Sequence, residues 1–360
     1  MSRGVFVLGM HRSGTSAATR LVNLLGVPTC VDEDLLPGTD DNPRGYWESA
    51  SLTSFNDRIF EAFESDWSCP PRLAPGWEKD PALAELRAEA PGLFSRAFPV
   101  ESWLWKDPRN CITLPFWTMA LDVEPVVVLV HRNPLEIAAS LGARDDLGEV
   151  YCLALWERYL QSCLSAISGI PTLVTTYDDI LENPAAWCES VRDFLSGVGV
   201  ATGELEPTAP DYVDTKLRHA RLTREDVVGD PAVSSAQREL LDILETLRGA
   251  HDTLSVPGFP DETPTTEALL SERRRLHPRD REHRELGEYS RSLGEQFVEL
   301  QRYSETLGAQ FVELQGNSED LWKQFLELQR YSDDVGKRFL ALEKYARELQ
   351  ARAPGGRGES

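Results

Sequence analysis

The residues Gly9-Met10-His11-Arg12-Ser13-Gly14-Thr15-Ser16 follow directly on the apolar run Val5-Phe6-Val7-Leu8 and lead into Ala17 to Leu25. A short apolar run fits a buried parallel strand, and the periodic run after it fits a helix. A glycine-bracketed loop between the two aims backbone N–H groups and the positive end of a helix dipole at one point. That is the chemistry of anion binding, phosphate above all. Arg12 adds a cation, and Ser13, Thr15 and Ser16 add three hydroxyls. The bland alternative is a tight strand-to-helix turn that binds nothing. So much anion-directed chemistry in one turn weighs against it.

The loop departs from that of nucleotide triphosphatases, G-x-x-x-x-G-K-[ST], in which the Lys holds the terminal phosphates and the hydroxyl holds Mg²⁺. Gly9, Gly14 and Ser16 keep the spacing, but Thr15 stands at the Lys position and the cation has moved to Arg12. A later apolar run ends Val128-Leu129-Val130-His131-Arg132-Asn133-Pro134, where such enzymes place a metal-holding Asp. Arg132 at a strand end, with Ser140 on the helix that follows, reads as a second anion site built from protein cations. No metal is expected.

The elements that position these residues alternate. Candidate strands are 4–8, 103–106, 126–130 and 172–176. Candidate helices are 14–25, 52–63, 81–95, 114–121, 134–141, 150–167, 184–195 and 232–247. This rhythm predicts an α/β fold, a P-loop-like parallel sheet flanked by helices, over residues 1–250. Ligands in such sheets bind beyond the strand C-termini, where the 9–16 loop falls. Residues 251–285 are expected to be a linker and charged segment, rich in Pro, Gly and Thr up to 266, and 351–360 a disordered tail.

Between them, 286–350 carries a 14-residue repeat: Tyr289 to Arg302, Tyr303 to Gly316, then 317–330 and 331–344. Fourteen residues are two heptads. Phe297, Ser304, Phe311, Ser318, Phe325, Ser332 and Phe339 take a positions. Leu300, Leu307, Leu314, Leu321, Leu328, Val335, Leu342 and Leu349 take d positions. The pattern predicts a long C-terminal coiled-coil helix, serving self-association or docking to a biosynthetic partner. The alternative is a single amphipathic helix lying on the globular domain. Gly294, Gly308 and Gly336 each cost up to ~1 kcal/mol of helix propensity, so the helix is expected to need a partner.

Net charge is −22, which argues against nucleic acid as a partner and makes any anion site depend on local cation clusters. The six cysteines show no Cys-x-x-Cys spacing and read as reduced thiols. No apolar run approaches ~20 residues, and no leader is expected ahead of a strand that opens at Gly4, so a cytoplasmic location is expected.

Taken together, the two anion sites resemble those of the sulfotransferase superfamily, whose donor is 3′-phosphoadenosine 5′-phosphosulfate (PAPS). The segment Arg12-Ser13-Gly14-Thr15-Ser16 is similar to the family's 5′-phosphosulfate loop. Arg132 and Ser140, eight residues apart, are similar to its 3′-phosphate pair. Thr175-Thr176-Tyr177-Asp178-Asp179-Ile180 is similar to its strand-end Tyr-Glu-Asp segment, where the Tyr approaches the adenine. The resemblance covers about residues 4–200 and implies a PAPS-dependent transferase releasing adenosine 3′,5′-bisphosphate. The small-phenol enzymes carry Lys at Arg12 and a His base after their second strand. This chain reads Trp105-Lys106-Asp107-Pro108-Arg109 there and lacks their downstream glycine- and lysine-rich loop. It looks closer to bacterial carbohydrate-type and protein-type members, which use a Glu base. A hydroxyl on a sugar or glycoconjugate is the expected acceptor.

The resemblance and the chemistry together assign candidate roles. Sulfonyl transfer needs a base for the acceptor hydroxyl and cations for the leaving phosphate oxygen. Glu48, in Asn42-Pro-Arg-Gly-Tyr-Trp-Glu48-Ser, is the candidate base; it would equally favour the N-terminus of the helix near Ser51. Asp107 is the second candidate, with turn organisation as its alternative role. Arg12 and Lys106 are candidates for the leaving oxygen, and Arg44 and Arg109 for an acidic acceptor if they are not ordinary surface charge. His11 either contacts the sulfonate or shapes the loop, and His131 packs at the strand end. Lys216, Arg218 and Arg221 form a basic cluster that could close over the nucleotide. Trp67, Trp77, Trp103, Trp105 and Trp117 suit core packing or ring stacking. Two other classes stay open: a P-loop kinase or NTPase, and a catalytically degenerate nucleotide domain on a coiled-coil scaffold.

Overall fold

Both faces of a parallel sheet must be covered, and the strands here are apolar on both faces. The computed structural model describes residues 3–39, 42, 44–204 and 221–352. In chain order its elements are β1 (Arg3–Leu8), α1 (Thr15–Leu24), α2 (Ala50–Glu61), α3 (Ala84–Ala97), β2 (Trp103–Lys106), α4 (Asn110–Leu121), β3 (Glu124–His131), α5 (Pro134–Asp145), α6 (Glu149–Ile167), β4 (Thr172–Thr176), α7 (Tyr177–Glu182), α8 (Pro184–Gly197), α9 (Arg224–Gly229), α10 (Ser235–Thr246), β5 (Gly249–His251) and α11 (Pro264–Arg352). The sheet order is β2-β1-β3-β4-β5; the first four strands are parallel and β5 is antiparallel to β4.

Alternation along the strands sorts the core into two layers. Val5, Val7, Val126, Val128 and Val130 face Leu21 and Val22 of α1 and Val191 and Leu195 of α8. Phe6, Leu8, Val127 and Leu129 face the other way, toward Trp105, Phe116 and Trp117 and the apolar side of α6. Because β1 lies between β2 and β3, the chain leaves three adjacent strands at one edge of the sheet. Residues 9–14, 107 and 132 therefore emerge side by side.

The chain divides into two units, Met1–Asp280 and Arg281–Ser360. In the first, the stretch expected as a linker is folded structure. His251 belongs to β5, Leu254 is buried, and its N–H donates to Ile170 O at 3.1 Å. The reason is polar matching to α6. The buried Glu157 carboxylate accepts from Thr263 N, Thr263 Oγ1, Thr266 Oγ1 and Gln237 Nε2. Arg158 forks onto Glu262 at 2.5 and 2.7 Å and donates to Pro70 O. Threonines read as loop formers from composition are here the donors that a buried carboxylate requires. The first turns of α11 belong to the same unit, with Thr266 and Leu270 buried.

In the second unit α11 is helical throughout its described length, and every described side chain between 291 and 344 is exposed. No helix among the described residues is long and apolar enough to cross a membrane.

The Arg158–Glu262 pair is almost fully buried. Glu262→Ala should therefore lower stability by about 1.5–3 kcal/mol, the cost of one charged hydrogen-bond partner, since the guanidinium keeps Glu267 and the Pro70 carbonyl. The double replacement Arg158→Met/Glu262→Leu should cost much less. Urea midpoints of the three proteins check this.

Candidate active site

Two close approaches shape the loop after β1. A Cβ on Gly14 would lie 2.1 Å from the Tyr177 ring, and one on Gly9 would lie 2.4 Å from the Val130 carbonyl oxygen. Gly14 also sits at φ 87°, as α1 begins. Arg12 takes a left-handed conformation at φ 68°. Ser13 N–H donates to Met10 O at 3.1 Å, closing the turn. Ser13 Oγ is buried without a hydrogen-bond partner among the described residues. Thr15 is buried with its methyl against Gly9. Ser16 has a different duty: its hydroxyl donates to Tyr46 O at 3.3 Å and accepts from Asn42 Nδ2 at 3.4 Å. It ties the segment that carries Glu48 to the start of α1.

The two candidate anion sites meet. Arg12 Nε donates to Ser140 Oγ at 2.9 Å, joining the cradle to α5. Arg132 donates through Nη1 to the Arg12 carbonyl at 3.1 Å, and its guanidinium carbon lies 4.9 Å from the Tyr177 ring centroid. Its Nε is held by Glu136 Oε2 at 2.8 Å, one helical turn on, and Glu136 Oε1 accepts from Leu222 N at 2.9 Å. Glu136 is buried and absent from the sequence-based candidates, although its i,i+4 spacing from Arg132 is a readable signal. Tyr177 opens α7, held there by a capping box in which Thr176 and Asp179 exchange hydrogen bonds.

At the end of β2 the structure brings Lys106 and Glu48 together. Lys106 is 2 % exposed and Glu48 7 %, and Lys106 Nζ hydrogen-bonds Glu48 Oε1. Lys106 is thus not a solvated strand-end side chain. Burial pushes the Glu48 carboxyl above its ordinary range, with Lys106 opposing. Ser49, not Glu48, caps α2 through Leu52 N. Asp107 is fully buried and accepts from Asn56 Nδ2 at 2.8 Å, from Arg109 N at 2.9 Å and from the Arg109 guanidinium at 3.2 Å. It organises the turn into α4. Arg109 is not surface charge: it is buried and also pairs with Asp57 at 2.7 Å. Nothing in the sequence marked Asn56 or Asp57, because their role depends on α2 crossing the end of β2.

His11 sits beside these groups, 4.7 Å from the Trp67 ring and 5.7 Å from Tyr159 between centroids, with Nε2 buried and unpartnered among the described residues. Burial, then the charges of Arg109, Arg144, Lys106 and Arg12, hold its pKa well below 6.5, so the ring is neutral. Trp67 is half-buried under the Arg144 guanidinium, 5.4 Å away, while Trp103, Trp105 and Trp117 are core. Arg44 is half-buried in the loop ahead of Glu48. Arg221 pairs with Glu182 at the surface, and Lys216 and Arg218 lie outside the described residues. Among the described residues no three His, Cys, Asp or Glu side chains converge as metal ligands.

No family model matches the chain, and no curated protein does. Solved structures similar to it include the sulfotransferase domain from the curacin biosynthetic pathway, 13 % identical with a TM-score of 0.34, over 74 % of this chain and 96 % of that one. Another is the sulfotransferase domain from the Synechococcus PCC 7002 olefin synthase, 17 % identical with a TM-score of 0.32, over 75 % and 94 %.

His131 is buried at the end of β3 with both ring nitrogens unpartnered among the described residues. Burial and Arg248 bring its pKa down to about 4, against Asp179; exposed Glu245, at 4.0 Å, does not offset this. The unfolded chain takes up this proton near pH 6.5 and the folded one only near 4. Stability should therefore fall as pH drops from 6.5 to 4, by at most about 3 kcal/mol from this residue. His131→Leu should flatten that slope in urea unfolding followed against pH.

Proposed function

We propose that this chain is a sulfotransferase that moves the sulfonyl group of PAPS to an acceptor hydroxyl, on a sugar or glycoconjugate. One observation carries the reading. A cradle without the triphosphatase lysine joins Arg12 to Ser140 and Arg132 to Tyr177, within one strand spacing of a buried Glu48–Lys106 pair. The residues fit such a nucleotide. Ser13 Oγ is a buried donor with no hydrogen-bond partner among the described residues, which supports a cradle for an anion. In this reading Tyr177, against the Arg132 guanidinium, meets the adenine.

In this reading Glu48 takes the proton of the acceptor hydroxyl, and a raised carboxyl pKa makes it the stronger base. The hydroxyl oxygen forms its bond to sulfur as the bond from sulfur to the phosphate oxygen breaks. Arg12 and Lys106 meet the charge left on that oxygen. Once Glu48 is protonated its hold on Lys106 weakens, so the ammonium is released toward the phosphate as charge develops there. Arg132, held by Glu136, and Ser140 would take the 3′-phosphate.

Calorimetry with adenosine 3′,5′-bisphosphate and, separately, with ATP–Mg²⁺ tests the donor class. The bisphosphate should bind, and Arg132→Ala should weaken it roughly 10- to 100-fold. Glu48→Gln should leave that binding intact while lowering sulfonyl transfer on the order of 10²- to 10⁴-fold. Binding of ATP–Mg²⁺ alone would turn the reading to a kinase or NTPase. Binding of neither would leave the degenerate domain.

A further inference from the structure

The exposed helix of the second unit carries glycines that nothing in one chain explains. A Cβ on Gly294, Gly308 or Gly336 would meet no atom within 4 Å, yet each costs helix propensity. All three stand at e positions of the heptad; Gly316, equally open, stands at f, outside the seam, and takes no part in the matching. We propose that a second copy of this chain covers the Phe/Leu seam of α11, as a parallel, in-register, two-stranded coiled coil.

The flanks of the seam carry the argument. In a parallel pair, each g residue meets the partner's e residue five positions further on. Tyr303 then meets the partner's Gly308, and Tyr331 the partner's Gly336. In the third repeat the sizes are exchanged: Asn317 meets the partner's Trp322. The charged pair among these positions, Arg338 with the partner's Glu343, is of opposite sign, and the others are Gln with Gln. Residues five apart in one helix lie about 140° apart around it and do not touch, so the matching has no cause within a single chain.

Other arrangements lose it. An antiparallel pair sets e against e and g against g, which puts Trp322 on Trp322 and Gly308 on Gly336. A slip of 14 residues puts Tyr303 on Trp322 and leaves Asn317 facing Gly336. A slip of seven sets every Phe layer against a Ser layer. In register, Ser304, Ser318 and Ser332 meet their own copies, hydroxyl to hydroxyl, as polar a positions do when they fix register at some cost in stability.

The area suffices. The Phe, Leu and Val side chains at a and d between 297 and 342 are each 45–70 % exposed. Together they offer on the order of 1,000 Å² per chain, against about 800 Å² per partner in a standard interface. Trp322 already lies stacked on Phe325, centroids 5.4 Å apart, walling one side of the seam.

Light scattering of the full chain at tens of micromolar should give twice the mass of one chain; a monomer or a trimer would overturn the proposal. The cysteines of the chain are all buried, so an exposed thiol introduced by Ser332→Cys is selectively oxidisable. Ser332→Cys and, separately, Ser304→Cys should each give a disulfide-linked dimer on mild oxidation. Dimeric mass with neither cross-link would mean an antiparallel or slipped pair and defeat the register. Arg338→Glu should weaken the dimer about fivefold, part of it through Asp334 in its own helix, and adding Glu343→Arg, which gives up Arg347, should recover part of that loss. A double variant as weak as the single one would count against the parallel pairing.

Discussion

A lysine whose ammonium is cut off from water must be neutralised, or the fold loses several kcal/mol. Lys106 sets this condition at the end of β2, and much of the site's architecture follows from meeting it. Glu48 has to reach it from a segment that begins outside the sheet. That segment is pinned at several points: Leu36 N–H donates to Glu48 O at 2.8 Å, Ser16 holds Tyr46, and Asp34 takes Ser51 N and the Ser49 and Ser51 hydroxyls. Ser49 then caps α2, whose Asn56 and Asp57 close the network around Asp107 and Arg109. One buried pair thus connects the cradle loop, the second strand and the second helix.

The same logic explains how an acidic chain keeps a cationic site. Each cation near the cradle is restrained by a specific oxygen: Arg12 by Ser140, Arg132 by Glu136, Lys106 by Glu48, Arg109 by Asp57 and Asp107. The guanidiniums are held in place by the protein's own oxygens, the preorganisation that keeps the ordering cost low for the proposed nucleotide. His11, kept neutral among these charges, adds no further repulsion.

What the residues alone revealed follows from the range over which each signal acts. The strands were legible because apolar runs of four to eight residues in a βαβ rhythm have few other readings. Strand β5 was not, since Gly249-Ala-His carries no alternation and is placed only by β4. The short helices α7 and α9 escaped although both open on readable capping boxes, Thr176 with Asp179 and Thr223 with Asp226. The segment after 251 was misread because Pro, Gly and Thr look alike whether solvated or folded. Only Glu157 and Arg158, a hundred residues earlier, make its polar groups structural. In the site, the cradle and the Arg132–Ser140 spacing are local and were visible. The Glu48–Lys106 contact and the burial of Arg109 are long-range and needed the fold.

The 14-residue period also makes the length of the second unit a quantised property. Each copy adds about 21 Å of helix. Because it spans two whole heptads, gaining or losing one leaves every other residue in its former position around the axis. An insertion of any number that is not a multiple of seven would rotate the remaining Phe and Leu side chains off their stripe. The helix can therefore be lengthened or shortened by whole heptads, two at a time in the repeat it carries, at little structural cost, and resists change by any fraction of one.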